Sequence, residues 1–186
     1  HVSYFTAKSL KKLLIKNKFV ISKIYANEYH GGTLRVIAKK YNKKDKISKE
    51  LNSLIKYENK IGLFKSKTYK EFQNEINNIK LKFNTKIFNI VNKGYVIVGI
   101  GAGAKSNTFL NFMKLDHNSI KYVTDVSKFK INKYMPLSRI PIKSDKILKK
   151  YDKVYALILS WNIDKSLIDK LKKIKKNIKI ISQKNF

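Results

Sequence analysis

The chain has 186 residues, 42 of them Lys or Arg against 12 Asp or Glu, for a net charge of +30 at pH 7, with 43% hydrophobic residues and no cysteine. Absence of cysteine excludes a disulfide scaffold and a cysteine-ligated zinc site, and the length fits one full domain with room for a piece of another, enough to bury a real core. No stretch approaches the roughly 20 apolar residues that span a bilayer, and the first residues lack a signal-peptide layout, so the chain reads as cytoplasmic with no membrane partner.

Only two of the basic residues are arginine, Arg35 and Arg139. The lysines are spread along the whole chain with no basic arm or tail, so the charge favours a polyanionic small ligand over nucleic acid. A basic nucleic-acid-binding protein stays as a rival that rests on net charge alone.

In chain order, Leu10, Leu13 and Leu14 stand at helical spacing among lysines, with Thr6 or Ser9 to cap a short surface helix over 6–18. Phe19 to Tyr25 is a β-rich run, His30-Gly31-Gly32 breaks it, and Thr33 to Ala38 resumes it. The glycine pair predicts a tight reversal between antiparallel strands. From Lys39 to about Lys60 the composition turns to Lys, Asn, Asp, Glu and Ser, which predicts a boundary, with a charged linker over 41–65.

Tyr69, Phe72, Ile76, Ile79, Phe83, Ile87 and Ile90 then recur at steps of three and four, a long amphipathic helix over about 66–93 ending at Gly94. The apolar run Tyr95 to Ile100 follows as a buried parallel strand. Beyond it come a helix at about 105–115, a strand at Ile120–Asp125, an irregular stretch through Pro136 and Pro141, and a helix at about 144–150. A second apolar strand from Val154 to Trp161, a helix at about 163–175 and a strand at Ile178–Ile181 close the series. Strands alternating with helices predict an α/β fold with a mostly parallel sheet.

Gly99-Ile100-Gly101-Ala102-Gly103-Ala104 lies where a strand hands over to a helix and matches the G-x-G-x-x-G/A pattern of nucleotide-binding α/β folds. Glycine lets the backbone approach a phosphate, and the amides at the next helix start favour an anion. Lys105, Ser106, Asn107 and Thr108 add a cation and three hydrogen-bonding side chains. Asp125, ending the next strand, stands where an acid meets a ribose hydroxyl, although a turn role is the plain alternative. The glycines could equally serve helix-strand packing. The spacing is not that of a Walker A loop.

Trp161 and Asn162 follow the second buried strand at the edge where open α/β sheets bind ligands, and could equally be a core side chain and a helix cap. Arg139, between two prolines, could clamp a phosphate or pin its own loop. His1, His30 and His117 show no metal-ligand spacing, so no metal site is expected, and no catalytic set assembles from residue types alone.

Four segments in order, Gly101 to Thr108, Tyr122 to Asp125, Ser138 to Ile142 and Leu157 to Asn162, resemble the C-terminal domain of S-adenosylmethionine-dependent C-methyltransferases, a group that includes deoxysugar-nucleotide C-methyltransferases. His1-Val2-Ser3-Tyr4-Phe5-Thr6 and His30-Gly31-Gly32-Thr33-Leu34-Arg35-Val36 resemble the end of the same family's methyltransferase domain. The resemblance implies a remnant of that domain over 1–40, a helix and strand pair, and a Rossmann-like substrate-binding domain over 66–186.

It implies a three-part parent enzyme, in which zinc belongs to an N-terminal domain and S-adenosylmethionine to a central one, both largely outside this chain. The substrate, commonly a nucleotide-linked keto-sugar, would lie between the last two parts, and a base would take the proton beside the ketone before the enolate carbon attacks the sulfonium methyl. His1 matches the histidine of the family's Tyr-x-Glu-His motif and would serve acid/base chemistry. Gly101, Ala102, Lys105, Ser106, Asn107 and Thr108 would cradle the substrate, plausibly its diphosphate, and His30 would line the cleft. Ser106 replaces the family's usual glycine after the lysine. On this reading the chain is a C-terminal piece, inactive without its N-terminal methyltransferase portion. The rival is a stand-alone dinucleotide-binding module.

Overall fold

The computed structural model describes residues 3–44, 48–160 and 164–182. The chain divides into two compact units, His1–Glu75 and Ile76–Phe186.

The first unit opens with helix α1 (Ala7–Lys16). Thr6 is its N-cap: the Thr6 hydroxyl accepts from the Ser9 amide at 3.0 Å, and Ser9 Oγ accepts from the Thr6 amide at 2.9 Å. This reciprocal pair satisfies two donors that the first turn cannot satisfy itself. Strands β1 (Phe19–Asn27) and β2 (Thr33–Lys40) pair antiparallel, with an irregularity between Ile21 and Lys23 that leaves Ser22 out of register. The extra residue lets Ile21 and Ile24, three apart, both reach the core.

The reversal is longer than the two-residue turn expected. Tyr29–Gly31 forms a short 3-10 turn, and Gly31 and Gly32 take φ of 84° and 119°. The segment expected to be a linker is instead largely helical. Helix α2 (Lys49–Lys60), capped by Ser48, buries Leu51 against Ala7, Ile21 and Ile24, with Leu54 and Ile55 beside them. Its Glu58, also buried, accepts hydrogen bonds from the backbone amides of Ala7 and Lys8 at the start of α1. Three apolar positions at helical spacing were hidden in a composition that reads as polar.

Helix α3 (Ser66–Asn92) carries the periodicity read from the sequence, with Phe83, Ile87 and Ile90 buried in the second unit, and Gly94 follows at φ 73°. The second unit is a five-stranded parallel sheet in the order β5-β4-β3-β6-β7, built from β3 (Val96–Ile100), β4 (Tyr122–Thr124), β5 (Ile142–Lys143), β6 (Val154–Ile158) and β7 (Lys179–Ser182). Helix α4 (Ala104–Met113) links β3 to β4, and α5 (Asp164–Ile174) links β6 to β7.

Alternate strand residues feed opposite faces. Ile97, Val123, Leu157 and Ile181 pack with Phe83, Ile87, Leu110 and Met113 of α3 and α4, while Val98, Ile100, Ala156 and Ile158 pack with Leu171 of α5 and Leu148 of a 3-10 turn at Asp145–Lys150. A sheet covered on both faces explains the unbroken apolar runs of β3 and β6. The fold is the expected Rossmann-like α/β arrangement. Two departures are local: β5 is an unforeseen two-residue strand, and the helix expected at 144–150 is a 3-10 turn.

Candidate binding site at the glycine loop

The chain runs outward from β3 to β4 and β5, then crosses back to β6 on the other side of β3. The carboxyl end of β3 therefore lies at the point where the strand order reverses, the place where open α/β sheets take ligands. The glycine loop leaves the sheet there.

Its glycines have packing reasons. A Cβ at Gly99 would lie 2.7 Å from Leu159 Cδ1 and 3.1 Å from Val123 Cγ2; one at Gly101 would lie 2.1 Å from Ser160 Oγ, and Gly101 also has a φ of 96°. Gly103 has neither constraint. It precedes α4 at φ −89°, and its amide donates to Ser106 Oγ at 3.3 Å. Ser106 is buried and holds the loop from within.

Asp125, directly after β4, holds the loop from the other side. Its Oδ2 accepts from the Ala102 amide at 2.9 Å and from Lys130 Nζ at 3.1 Å, and its Oδ1 accepts from the Ser127 amide at 2.8 Å. Partial burial raises its pKa, but the Ser127 amide, Lys130 and the Ala102 amide together outweigh that and hold the carboxyl below the ordinary range. With both oxygens engaged within the protein, Asp125 positions the loop in this structure.

Two cavities flank the loop. One, of about 490 Å³, is bounded by Ala102, Gly103, Asn107 and Thr108 on the helix side and by Lys130, Lys133 and Tyr134 on the facing loop. The N-terminal turn of α4 presents the positive end of its dipole, and Lys133, with Lys130 beside it paired to Asp125 at 3.1 Å, adds cationic charge, so this cavity suits an anion. Asn107 Oδ1 is buried with no hydrogen-bond partner among the described residues. The other cavity, about 140 Å³, lies between the strand ends and α5, with Gly101, Thr124, Asp125 and Ser160 on its walls.

The structure thus brings Ala102, Asn107 and Thr108 to one cavity and Gly101 and Asp125 to the other. Lys105 is exposed on the first turn of α4, and Arg139 is exposed in the 130s loop at φ 52°. Neither is among the residues lining the two cavities. His30 falls in the 3-10 turn of the first unit, while His1, Trp161 and Asn162 lie outside the described residues. Lys130, Lys133, Tyr134 and Thr124 were not foreseen, because lysines in a lysine-rich chain and a threonine inside a strand carry no distinguishing pattern. Among the described residues, no group of three or more His, Cys, Asp or Glu could hold a metal ion, and no helix is long and apolar enough to cross a membrane.

Residues 28–182 match the C-methyltransferase C-terminal domain family. The chain is also similar to C-methyltransferase NovU of Streptomyces niveus, at 27% identity over 177 residues covering 95% of this chain and 42% of that protein. It spans about two fifths of that relative's length. The match takes in β2, all five strands of the parallel sheet, the glycine loop and both cavities, and on that extent the chain belongs to the C-methyltransferase C-terminal domain family.

Proposed function

We propose that the chain is the C-terminal portion of an S-adenosylmethionine-dependent C-methyltransferase and holds the substrate, a nucleotide-linked keto-sugar or a related carbon acid, with the diphosphate in the 490 Å³ cavity. The observation that carries this reading is that the start of α4 and Lys133, with Lys130 beside it, line one cavity at the carboxyl end of β3. Family membership supports the reaction class. In the reaction proposed, a base removes the proton beside the ketone and the carbanion takes the methyl group; His1 is the residue assigned to the acid/base work.

The described residues do not suit the adenosyl group of the methyl donor. Both Asp125 oxygens already accept hydrogen bonds from the loop and Lys130, and the cavity beside Gly101 is small, at about 140 Å³. The methyl donor is therefore assigned to the remaining length of the parent protein, and His1 is proposed to act only together with it, so that this chain alone does not methylate.

Calorimetric titration tests the proposal. Thymidine diphosphate and a thymidine-diphosphate-linked 4-keto sugar bind saturably, and Lys133→Ala weakens both about tenfold; S-adenosylmethionine and NAD give no saturable heat. Binding of NAD alone would instead favour a dinucleotide module.

A further inference from the structure

The cavities at the glycine loop lie at the carboxyl ends of the strands. A third, of about 340 Å³, opens at the opposite end of the sheet, where Tyr95 precedes β3 and where β6 begins. The last turns of α3 form one side of it with Lys82, Lys86, Asn89 and Lys93, and Tyr95 and Tyr155 form the other. Among the described residues, no carboxylate lines it.

The two tyrosines are held in place. Both pack against the core that contains Phe83, Ile87 and Ile90, and they meet edge to face with ring centroids 5.1 Å apart. Lys179, the first residue of β7, has its ammonium 4.6 Å and 5.5 Å from the two centroids and donates to the Tyr95 hydroxyl at 2.9 Å. Because that oxygen accepts from Lys179, its own hydrogen is left to point at another acceptor. The hydrogen bond and charge of Lys179, with Lys153 and Lys93 adding to them, lower the pKa of this hydroxyl and make it a better donor.

Lys93 has an ordinary reason to be where it is, since a cation just past a helix end answers the last carbonyls. Lys82 lies well before that end, where the helix dipole no longer acts. From Lys82 to Lys93 the basic stripe runs about 16 Å along the helix, far longer than a diphosphate. About five residues of extended peptide cover that length, with alternate side chains on one side about 7 Å apart. A single nucleic-acid strand fits less well, because such strands bind by stacking bases on free aromatic faces. Here the rings pack on each other and lie under Lys179.

We infer that this cavity is a docking groove for an acidic, extended peptide segment of a partner chain, whose carboxylates meet Lys82, Lys93 and the Tyr95 hydroxyl. Charge complementarity selects that occupant, and the inference does not depend on the substrate proposed for the glycine loop.

Two-dimensional amide NMR of the chain titrated with hexaglutamate tests it, with hexathymidylate and inorganic pyrophosphate as comparison probes. Hexaglutamate gives saturable shifts concentrated at 82–95, 153–155 and 179, and pyrophosphate binds at these amides more weakly. Lys82→Ala and Tyr95→Phe, the latter keeping the ring in the core, each weaken hexaglutamate about three- to fivefold. Lys12→Ala, at an exposed position of α1, leaves its affinity unchanged. Shifts spread evenly over the lysine-rich segments, absence of saturation, or equal effects of the three substitutions would each overturn the groove. Pyrophosphate binding there as tightly as hexaglutamate would overturn the extended-peptide assignment, and tighter binding of hexathymidylate at the same amides would overturn it in favour of nucleic acid.

Discussion

Gly101 and Gly103 stand two residues apart in the same loop, yet an added methyl group meets different surroundings at each. At Gly101 it strikes Ser160 Oγ and the backbone has a positive φ; at Gly103 it finds ordinary contact with Ser106 Oγ at 3.5 Å. Gly101→Ala is expected to cost about 2 to 3 kcal/mol in urea denaturation, and Gly103→Ala less than about 1 kcal/mol. The glycine pattern was legible in the sequence, but which glycine is required depends on Ser160, some 60 residues later. Asp125 was legible as an acidic residue closing its strand and its partners were not, because they are the amides of Ala102 and Ser127 and Lys130. Its carboxyl has a folded pKa below the unfolded one, so its stabilisation is present above about pH 4 and lost as pH falls through the folded value. Asp125→Asn should cost about 2 kcal/mol at pH 7, and the stabilities of the two proteins should converge towards pH 2. A constant gap across that range would contradict the ion-pairing and amide-holding role.

Elements with strong periodicity or unbroken apolar runs were readable: α3, β3, β6 and the α4 and α5 crossovers. What composition concealed was α2, whose few apolar side chains are diluted by Lys, Asn and Glu, and whose tertiary anchor is a charged residue. Glu58 is buried, and its two oxygens accept from the Ala7 and Lys8 amides, a carboxylate at a helix start where the dipole favours it. Glu58→Ala should destabilise the first unit by about 2 kcal/mol and Glu58→Gln by about half that, read as loss of α1 and α2 amide protection in hydrogen exchange. Unchanged protection would mean that the apolar contacts of Leu51, Leu54 and Ile55 alone hold α2. Strand β5 escaped notice because two residues are too few to show alternation; its place is set by pairing with β4 through Val123 and Thr124.

For the whole molecule, the net charge of +30 would be the dominant clue if it were clustered, but the cavities divide it more finely than the total does. Lys133 and an Asp125-paired Lys130 stand at one cavity, while the other has its lysine paired with Asp145. Binding of a nucleotide diphosphate should therefore weaken only modestly between 50 and 200 mM salt, in contrast with the loss of about three to five decades that accompanies six to ten phosphate contacts on nucleic acid. The most direct test of the substrate-holding role is a two-dimensional amide NMR titration of the chain with thymidine diphosphate. Saturable shifts concentrated at Ala102–Thr108 and at 130–134 are expected, with those at 130–134 lost in Lys133→Ala. Shifts confined to the lysines of α3 and absent from the glycine loop would contradict the account.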